Sequence, residues 1–159
     1  AKEMLLLPKI IEKFPNVNFY WAGDGPFAKK ILPHLEIFPN FHWLGSLEYP
    51  NQVRQFLSEI DIYGLITGND MSPHTVLEAS LMKKPVIATN VGGISESVIE
   101  NQTGFLIKED DSSSWISKIS YLIDNPNELK KMGLQGYEFV NENFLWEKIA
   151  KDFLKIIKI

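Results

Sequence analysis

Two carboxylates, Asp70 and Glu78, stand seven residues apart in the run Asn69-Asp70-Met71-Ser72-Pro73-His74-Thr75-Val76-Leu77-Glu78-Ala79-Ser80. The first lies at the mouth of a loop. The second lies about two turns into the helix that the run predicts. Between them is a helix start, whose first N–H groups have no intrahelical acceptor and point outward. Such groups, at the positive end of the helix dipole, attract anions. A carboxylate deeper in the helix would repel a phosphate, but it could accept hydrogen bonds from two neighbouring hydroxyls. A diphosphate flanked by polyols, as in a sugar nucleotide, offers both kinds of group.

Each of these residues also has a structural reading. Glu78 could be a solvated helix-surface charge or a partner of Lys83 or Lys84. Asp70 closes Gly68-Asn69-Asp70, which is turn chemistry in its own right, and it could cap a helix beginning near Ser72. His74 is a lone histidine; such residues are more often structural or solvated than ligand-binding, although its titration range suits a phosphate or sugar contact. The three histidines, His34, His42 and His74, show no metal-ligand spacing.

The elements that must position this run are legible as alternating helix and strand signals. Residues 2–14 carry apolar residues at helical spacing and close at Pro15-Asn16; the chain opens inside this helix. Residues 17–22 read as a strand, 27–35 as a helix, 41–44 as a strand, 51–60 as a helix and 62–66 as a buried strand. Residues 72–82 read as a helix capped by Ser72 with Pro73 at its first position. Then come a strand at 85–88, a short helix at 95–101 and a strand at 105–107. Beyond Asp110 everything reads as helix, with breaks near Asn125-Pro126 and Gly133. Strands alternating with helices imply a parallel sheet covered on both faces. In such sheets ligands lie beyond the carboxyl ends of the strands. Residues 23–26, 67–75 and 89–93 all fall at such ends.

Two glycine turns belong to that edge. Gly23-Asp24-Gly25-Pro26-Phe27-Ala28 follows a strand and opens a helix, and so imitates the dinucleotide fingerprint. Glu48 falls roughly where a ribose-binding acid would stand on the next strand. Against that reading, a helix precedes this strand, which is therefore not the first element of the fold. A tight turn that binds nothing is the plainer alternative. Gly92-Gly93 allows either close approach of a ligand or a tight strand-to-helix turn, with Glu96 available to hydrogen-bond and fix the loop.

Composition narrows the classes. The chain has 159 residues, 45% hydrophobic and 23% charged, which suits one globular domain. A net charge of -4 argues against nucleic acid as the main partner. There is no cysteine, which excludes disulfides and thiol chemistry. No apolar run approaches the ~20 residues of a membrane span, and Leu5-Leu6-Leu7 ends at Pro8. The last helix places Trp146, Ile149, Phe153, Ile156 and Ile157 on one face and Lys148, Lys151, Lys155 and Lys158 mostly elsewhere. Such a stripe could lie on a membrane, but more often it packs on its own core.

The whole series resembles the retaining glycosyltransferases of group 1, family 4, which have the GT-B fold. Their pattern E-G-x-P-x-x-x-L-E-A is matched at Pro73, Leu77, Glu78 and Ala79, with Asp70 in place of the first Glu and Met71-Ser72 near the usual Gly. The likeness extends upstream over residues 22–26 and downstream over 84–96, 103–107 and 144–150. It implies a Rossmann-like, doubly wound α/β domain, residues 1–159, forming the C-terminal half of a two-domain enzyme. The acceptor domain and a first, central strand would lie upstream. The resemblance implies that Asp70 contacts the transferred sugar, that Glu78 holds the ribose hydroxyls, and that Met71, Ser72, Pro73, His74, Thr75, Gly23 and Gly25 line the donor site. Asp is about one methylene shorter than Glu, which puts that sugar contact in question. No metal and no cofactor are implied. The donor would be a UDP- or GDP-linked sugar. The acceptor would be a glycan or lipid-linked, held by the other domain. The setting would be cytoplasmic, with peripheral attachment to the inner face of the membrane left open. Three alternatives stand beside this reading: an NAD-binding oxidoreductase domain, a sugar-nucleotide epimerase and a non-catalytic binding or interaction module.

Overall fold

The computed structural model describes residues 2–157. Ala1, Lys158 and Ile159 lie outside the described residues, as do the side chains of Lys2 and Ile157. A 3-10 turn, Lys2–Leu6, leads into α1, Leu7–Lys13, with Pro8 in its first turn where a missing N–H costs nothing. Strand β1 is Phe19–Ala22, α2 Ala28–Leu35, β2 Phe41–Gly45, α3 Asn51–Glu59 and β3 Tyr63–Leu65. Then follow α4 His74–Leu81, β4 Val86–Thr89, α5 Ile94–Ser97 and β5 Gly104–Ile107. Three helices close the chain: α6 Ser112–Asp124, α7 Pro126–Asn143 and α8 Trp146–Ile157.

The α/β alternation holds, and every strand pair is parallel. The strands form two sheets rather than one continuous sheet. One has the order β1-β2, with Phe19 opposite Phe41; the other has the order β3-β4-β5, with Tyr63 opposite Val86 and Ile87 opposite Phe105. The edges of β1 and β3 line opposite sides of a cleft of about 920 Å³. Strand β3 is accordingly half-buried with Gly64 exposed, instead of the buried strand that its apolar run predicts.

Three core clusters hold the sheets to their helices. Ile87, Phe105, Ile107, Trp115 and Leu122 pack with Ile10 beneath the three-stranded sheet. Leu57, Val76, Ala79, Val86, Ala88 and Ile94 pack on its other face. Ile11, Ile31, Leu32, Leu35 and Phe41 form the core of the two-stranded half. Asn40 fixes the approach to β1: its amide donates to the carbonyls of Phe14 (2.9 Å) and Val17 (2.7 Å).

Four further expectations are corrected. Helix α4 begins at His74, with Pro73 at its N-cap and no side-chain cap. Ser72 is not the cap: it lies one residue before the N-cap, and its hydroxyl sits by His74 Nε2 (3.4 Å) and accepts no helix N–H, while the Asp70 carboxylate accepts its own N–H (3.0 Å) in a local turn. Gly133 does not break the helix but lies inside α7, buried where a Cβ would overlap the Lys83 carbonyl. Glu96 is exposed, and its carboxylate makes no hydrogen bond among the described residues. The stripe on α8 is not packed on the core: Trp146 is 83% exposed, Phe153 60% and Ile156 79%. Among the described residues no helix is long and apolar enough to cross a membrane.

Candidate functional site

Strand β3 ends at Leu65, and the chain turns through residues 66–73 before entering α4. Thr89, at the end of β4, extends the ladder beyond β3. Its hydroxyl accepts from the Thr67 N–H (3.2 Å) and donates to the Leu65 carbonyl (3.4 Å). The Thr67 hydroxyl then donates to the Asn69 carbonyl (3.1 Å) and fixes the next turn.

Asp70 follows, half-buried. One carboxylate oxygen accepts the Ser72 N–H at 3.0 Å, and its backbone carbonyl accepts the Gly93 N–H at 2.9 Å. Gly92 and Gly93 fit against this loop more closely than any side chain would allow. A Cβ on Gly92, whose φ is +55°, would overlap the Asp70 carbonyl, and one on Gly93 would overlap the Met71 carbonyl. The paired glycines therefore serve close approach, but to the loop and not to an open ligand space.

The predicted cradle of N–H groups is narrower than the sequence suggests. Pro73 has none. The Ser72 N–H goes to Asp70, and the His74 N–H goes to the Ser72 carbonyl at 2.8 Å. Those of Met71 and Thr75 have no acceptor among the described residues. Met71, Ser72, His74 and Thr75 are exposed and Pro73 is buried. The Ser72 hydroxyl lies 3.4 Å from His74 Nε2, which gives the histidine a neighbour within the loop.

Glu78 is half-buried one turn further along α4 and faces the cleft between the sheets together with Thr75 and Gly23. Neither lysine considered as its partner is turned to it: Lys84 donates to the Ser58 carbonyl (3.0 Å), and the Lys83 ammonium lies over the Tyr137 ring (5.0 Å). The structure thus brings Gly23, Thr75 and Glu78 to one cleft. Asp70, Met71, Ser72, Pro73 and His74 form the adjoining loop, and Gly25 lies outside the cleft lining. Gly23 has φ +122° and its carbonyl accepts from the Trp43 indole (3.0 Å); a Cβ on Gly25 would meet nothing within 4 Å. The Gly25 N–H is taken by the Asp24 carboxylate at 2.7 Å. Glu48, weighed as a ribose acid, is exposed before α3.

Tyr63 is a residue that sequence reasoning missed. Burial pushes its hydroxyl up from the usual tyrosine value. A hydrogen bond from Thr75 acts in the opposite direction, and the charges of Glu78 and then Asp70 add to the rise. It lines the cleft beside Thr75 and Glu78. Its signal in the sequence was only a tyrosine opening an apolar strand. Among the described residues no group of three or more acidic or histidine side chains could hold a metal ion.

A family model described as glycosyl transferases group 1 matches residues 2–139. An uncharacterized glycosyltransferase, MJ1178 of Methanocaldococcus jannaschii, is 31% identical over 149 residues, covering 89% of this chain and 40% of that protein. A trehalose synthase of Pyrococcus horikoshii is 37% identical over 159 residues, covering 94% and 38%. The chain thus spans about two fifths of the length of these curated relatives. Among solved structures, a sucrose-phosphate synthase from Thermosynechococcus elongatus superimposes with a TM-score of 0.85 at 20% identity, over 98% of this chain and 41% of that one. Anabaena Alr3699/HepE in complex with UDP-glucose gives 0.82 at 19% identity, over 98% and 43%.

Proposed function

This chain belongs to the group 1 glycosyl transferases and fits the C-terminal part of a GT-B enzyme, and from that premise we propose that it binds the nucleoside-diphosphate sugar of a retaining, metal-independent transfer. The observation that carries the reading is Glu78. It is half-buried, free of both neighbouring lysines, and turned to a cleft that it shares with Thr75 and Gly23. A carboxylate so placed costs free energy unless a donor meets it, and a pair of ribose hydroxyls supplies two.

The chemistry follows from the loop. As the glycosidic bond breaks, negative charge gathers on the leaving diphosphate. The N–H groups of Met71 and Thr75 and the N-terminal end of α4 would stabilise it without a cation. One oxygen of Asp70 is held by the Ser72 N–H, which fixes the side chain and leaves the second oxygen for the transferred sugar. The HepE complex contains UDP-glucose, which favours a UDP-linked donor here, with GDP as the alternative. The acceptor, a glycan or a lipid-linked sugar, would be held mainly by the part of the enzyme outside this chain. That enzyme would work in the cytoplasm, and at the inner face of the membrane if the α8 stripe meets lipid. Family membership displaces the NAD-binding and epimerase readings.

Calorimetry with UDP, UDP-glucose, GDP and NAD tests this. UDP or GDP should bind, with affinity unchanged when EDTA replaces magnesium, and NAD should not saturate. Glu78→Ala removes charge-assisted hydrogen bonds worth roughly 1.5–3 kcal/mol, so the dissociation constant should rise about ten- to a hundredfold. An unchanged constant in a folded variant refutes the ribose assignment.

A further inference from the structure

The ladder between β3 and β4 runs from Tyr63 opposite Val86 to Leu65 opposite Ala88 and stops there. In a parallel ladder the N–H groups aimed at one neighbour recur at every second residue. The Tyr63 N–H bonds to the Pro85 carbonyl, so the Thr67 N–H is due at the Thr89 carbonyl. That carbonyl is taken: it accepts the Val91 N–H at 3.0 Å as the chain turns toward α5. The Thr89 side chain supplies the missing rung. Its hydroxyl accepts the Thr67 N–H and donates to the Leu65 carbonyl, so both of its bonds lie on the neighbouring chain.

Packing alone does not call for a threonine here. The rest of β4 is Val86, Ile87 and Ala88, all fully buried, and Thr89 is itself only 2% exposed. A hydroxyl at such a place costs free energy unless it is bonded. What it gains is control of the loop that carries Asp70. At the near end Thr89 holds Thr67, whose own hydroxyl donates to the Asn69 carbonyl. At the far end the Gly93 N–H holds the Asp70 carbonyl, and Gly92 and Gly93 leave no space between the two segments. Both ends of the loop therefore rest on residues 89–93. Thr89 itself does not line the cleft.

We propose that Thr89 is a positioning residue for sugar transfer: its hydroxyl sets the place of the 67–70 loop and so the reach of Asp70 toward the transferred sugar. This rests on the Asp70 contact proposed above. The short Asp side chain makes the placement matter, because it has about one methylene less than Glu with which to absorb a shift of the loop. A misplacement of about 1 Å at a reacting group can cost about a hundredfold in rate.

Thr89→Val in the full-length enzyme removes the hydroxyl at nearly constant volume. Its kcat, read as nucleoside diphosphate released from UDP-glucose or a GDP-linked sugar, should fall about ten- to a hundredfold. Affinity for free UDP or GDP should stay within about twofold. Thr89→Ser keeps the hydroxyl and should recover most of the turnover. Thr67→Val, at a half-buried position, breaks the same chain of bonds one link later and should lower kcat in the same way. Hydrogen exchange reads the loop without substrate. The Gly93 amide, whose acceptor is Asp70, should exchange at least about 10-fold faster in Thr89→Val, while Ile87 and Phe105 stay protected. Added to Asp70→Asn, Thr89→Val should lower kcat little further, since both act through one group. Unchanged Gly93 exchange overturns the proposal, as does a kcat loss matched by a loss of nucleotide affinity. Turnover impaired by Asp70→Asn but kept in Thr89→Val overturns this proposal alone. Turnover kept in Asp70→Asn overturns the sugar contact, and the role of Thr89 with it.

Discussion

Strands β4 and β2 are of similar length and both pair in parallel, yet they sit in different surroundings. All four residues of β4 are buried, between neighbours on both edges and helices on both faces. In β2 only Phe41 is buried, while Trp43 and Leu44 are each 42% exposed. The loop with Asp70 and the helix with Glu78 belong to the packed half. The thinner half walls the cleft with residues 16–23, but of the predicted site residues it contributes only Gly23. A site that must hold two carboxylates and two N–H groups in fixed relation needs a rigid support, and β4 with its helices supplies it.

The largest expected effect separates the two halves by stability. Ile87 is fully buried, so Ile87→Ala should cost roughly 2–5 kcal/mol. Leu44→Ala should stay within about 0.5 kcal/mol. Urea titration reads both, and equal losses would abolish the distinction. Next come the glycine turns that follow a strand in each half. Gly92→Ala places a side chain at φ +55° and against the Asp70 carbonyl; the backbone term alone is about 1–2 kcal/mol, and nucleotide affinity should fall with it. Gly25→Ala has open space and should be near-neutral in stability. Melting curves paired with calorimetry would sharpen the contrast, or break it if Gly92→Ala binds normally.

The smallest structural effect is expected at Asp70. Asp70→Asn keeps an oxygen for the Ser72 N–H, so melting should hardly change. Turnover of the full-length enzyme should still drop strongly, with free UDP affinity unchanged, because the proposed contact is to the sugar. Asp70→Glu should change rate or donor choice. Unchanged turnover in both variants would leave Asp70 as a turn residue only.

Local pattern made the order of elements and the Asp70–Glu78 spacing legible, because helix period, strand runs and turn residues are encoded within a few positions of one another. What escaped depends on partners far along the chain. Nothing near Gly92 announces that it packs on Asp70, and nothing in residues 62–66 says that one edge of that strand stands open. Gly133 looked like a break because glycine is a poor helix former in isolation. In place, it is the residue that lets α7 close on the Lys83 carbonyl. Ser72 has the chemistry of a cap, but the helix starts one residue too late for it and its hydroxyl lies by the His74 ring.

Ile10 and Ile11 are neighbours in sequence, yet one belongs to the core beneath the three-stranded sheet and the other to the core of the two-stranded half. Adjacent helical side chains point about 100° apart, so α1 is seated by two cores at once and cannot turn about its own axis without unseating one of them. With Phe19, which packs against the same two cores, it acts as a shared journal between the halves. Strain or loosening in either half would reach the other first as a torque on this helix, and a probe at position 10 or 11 would register it before any strand parted.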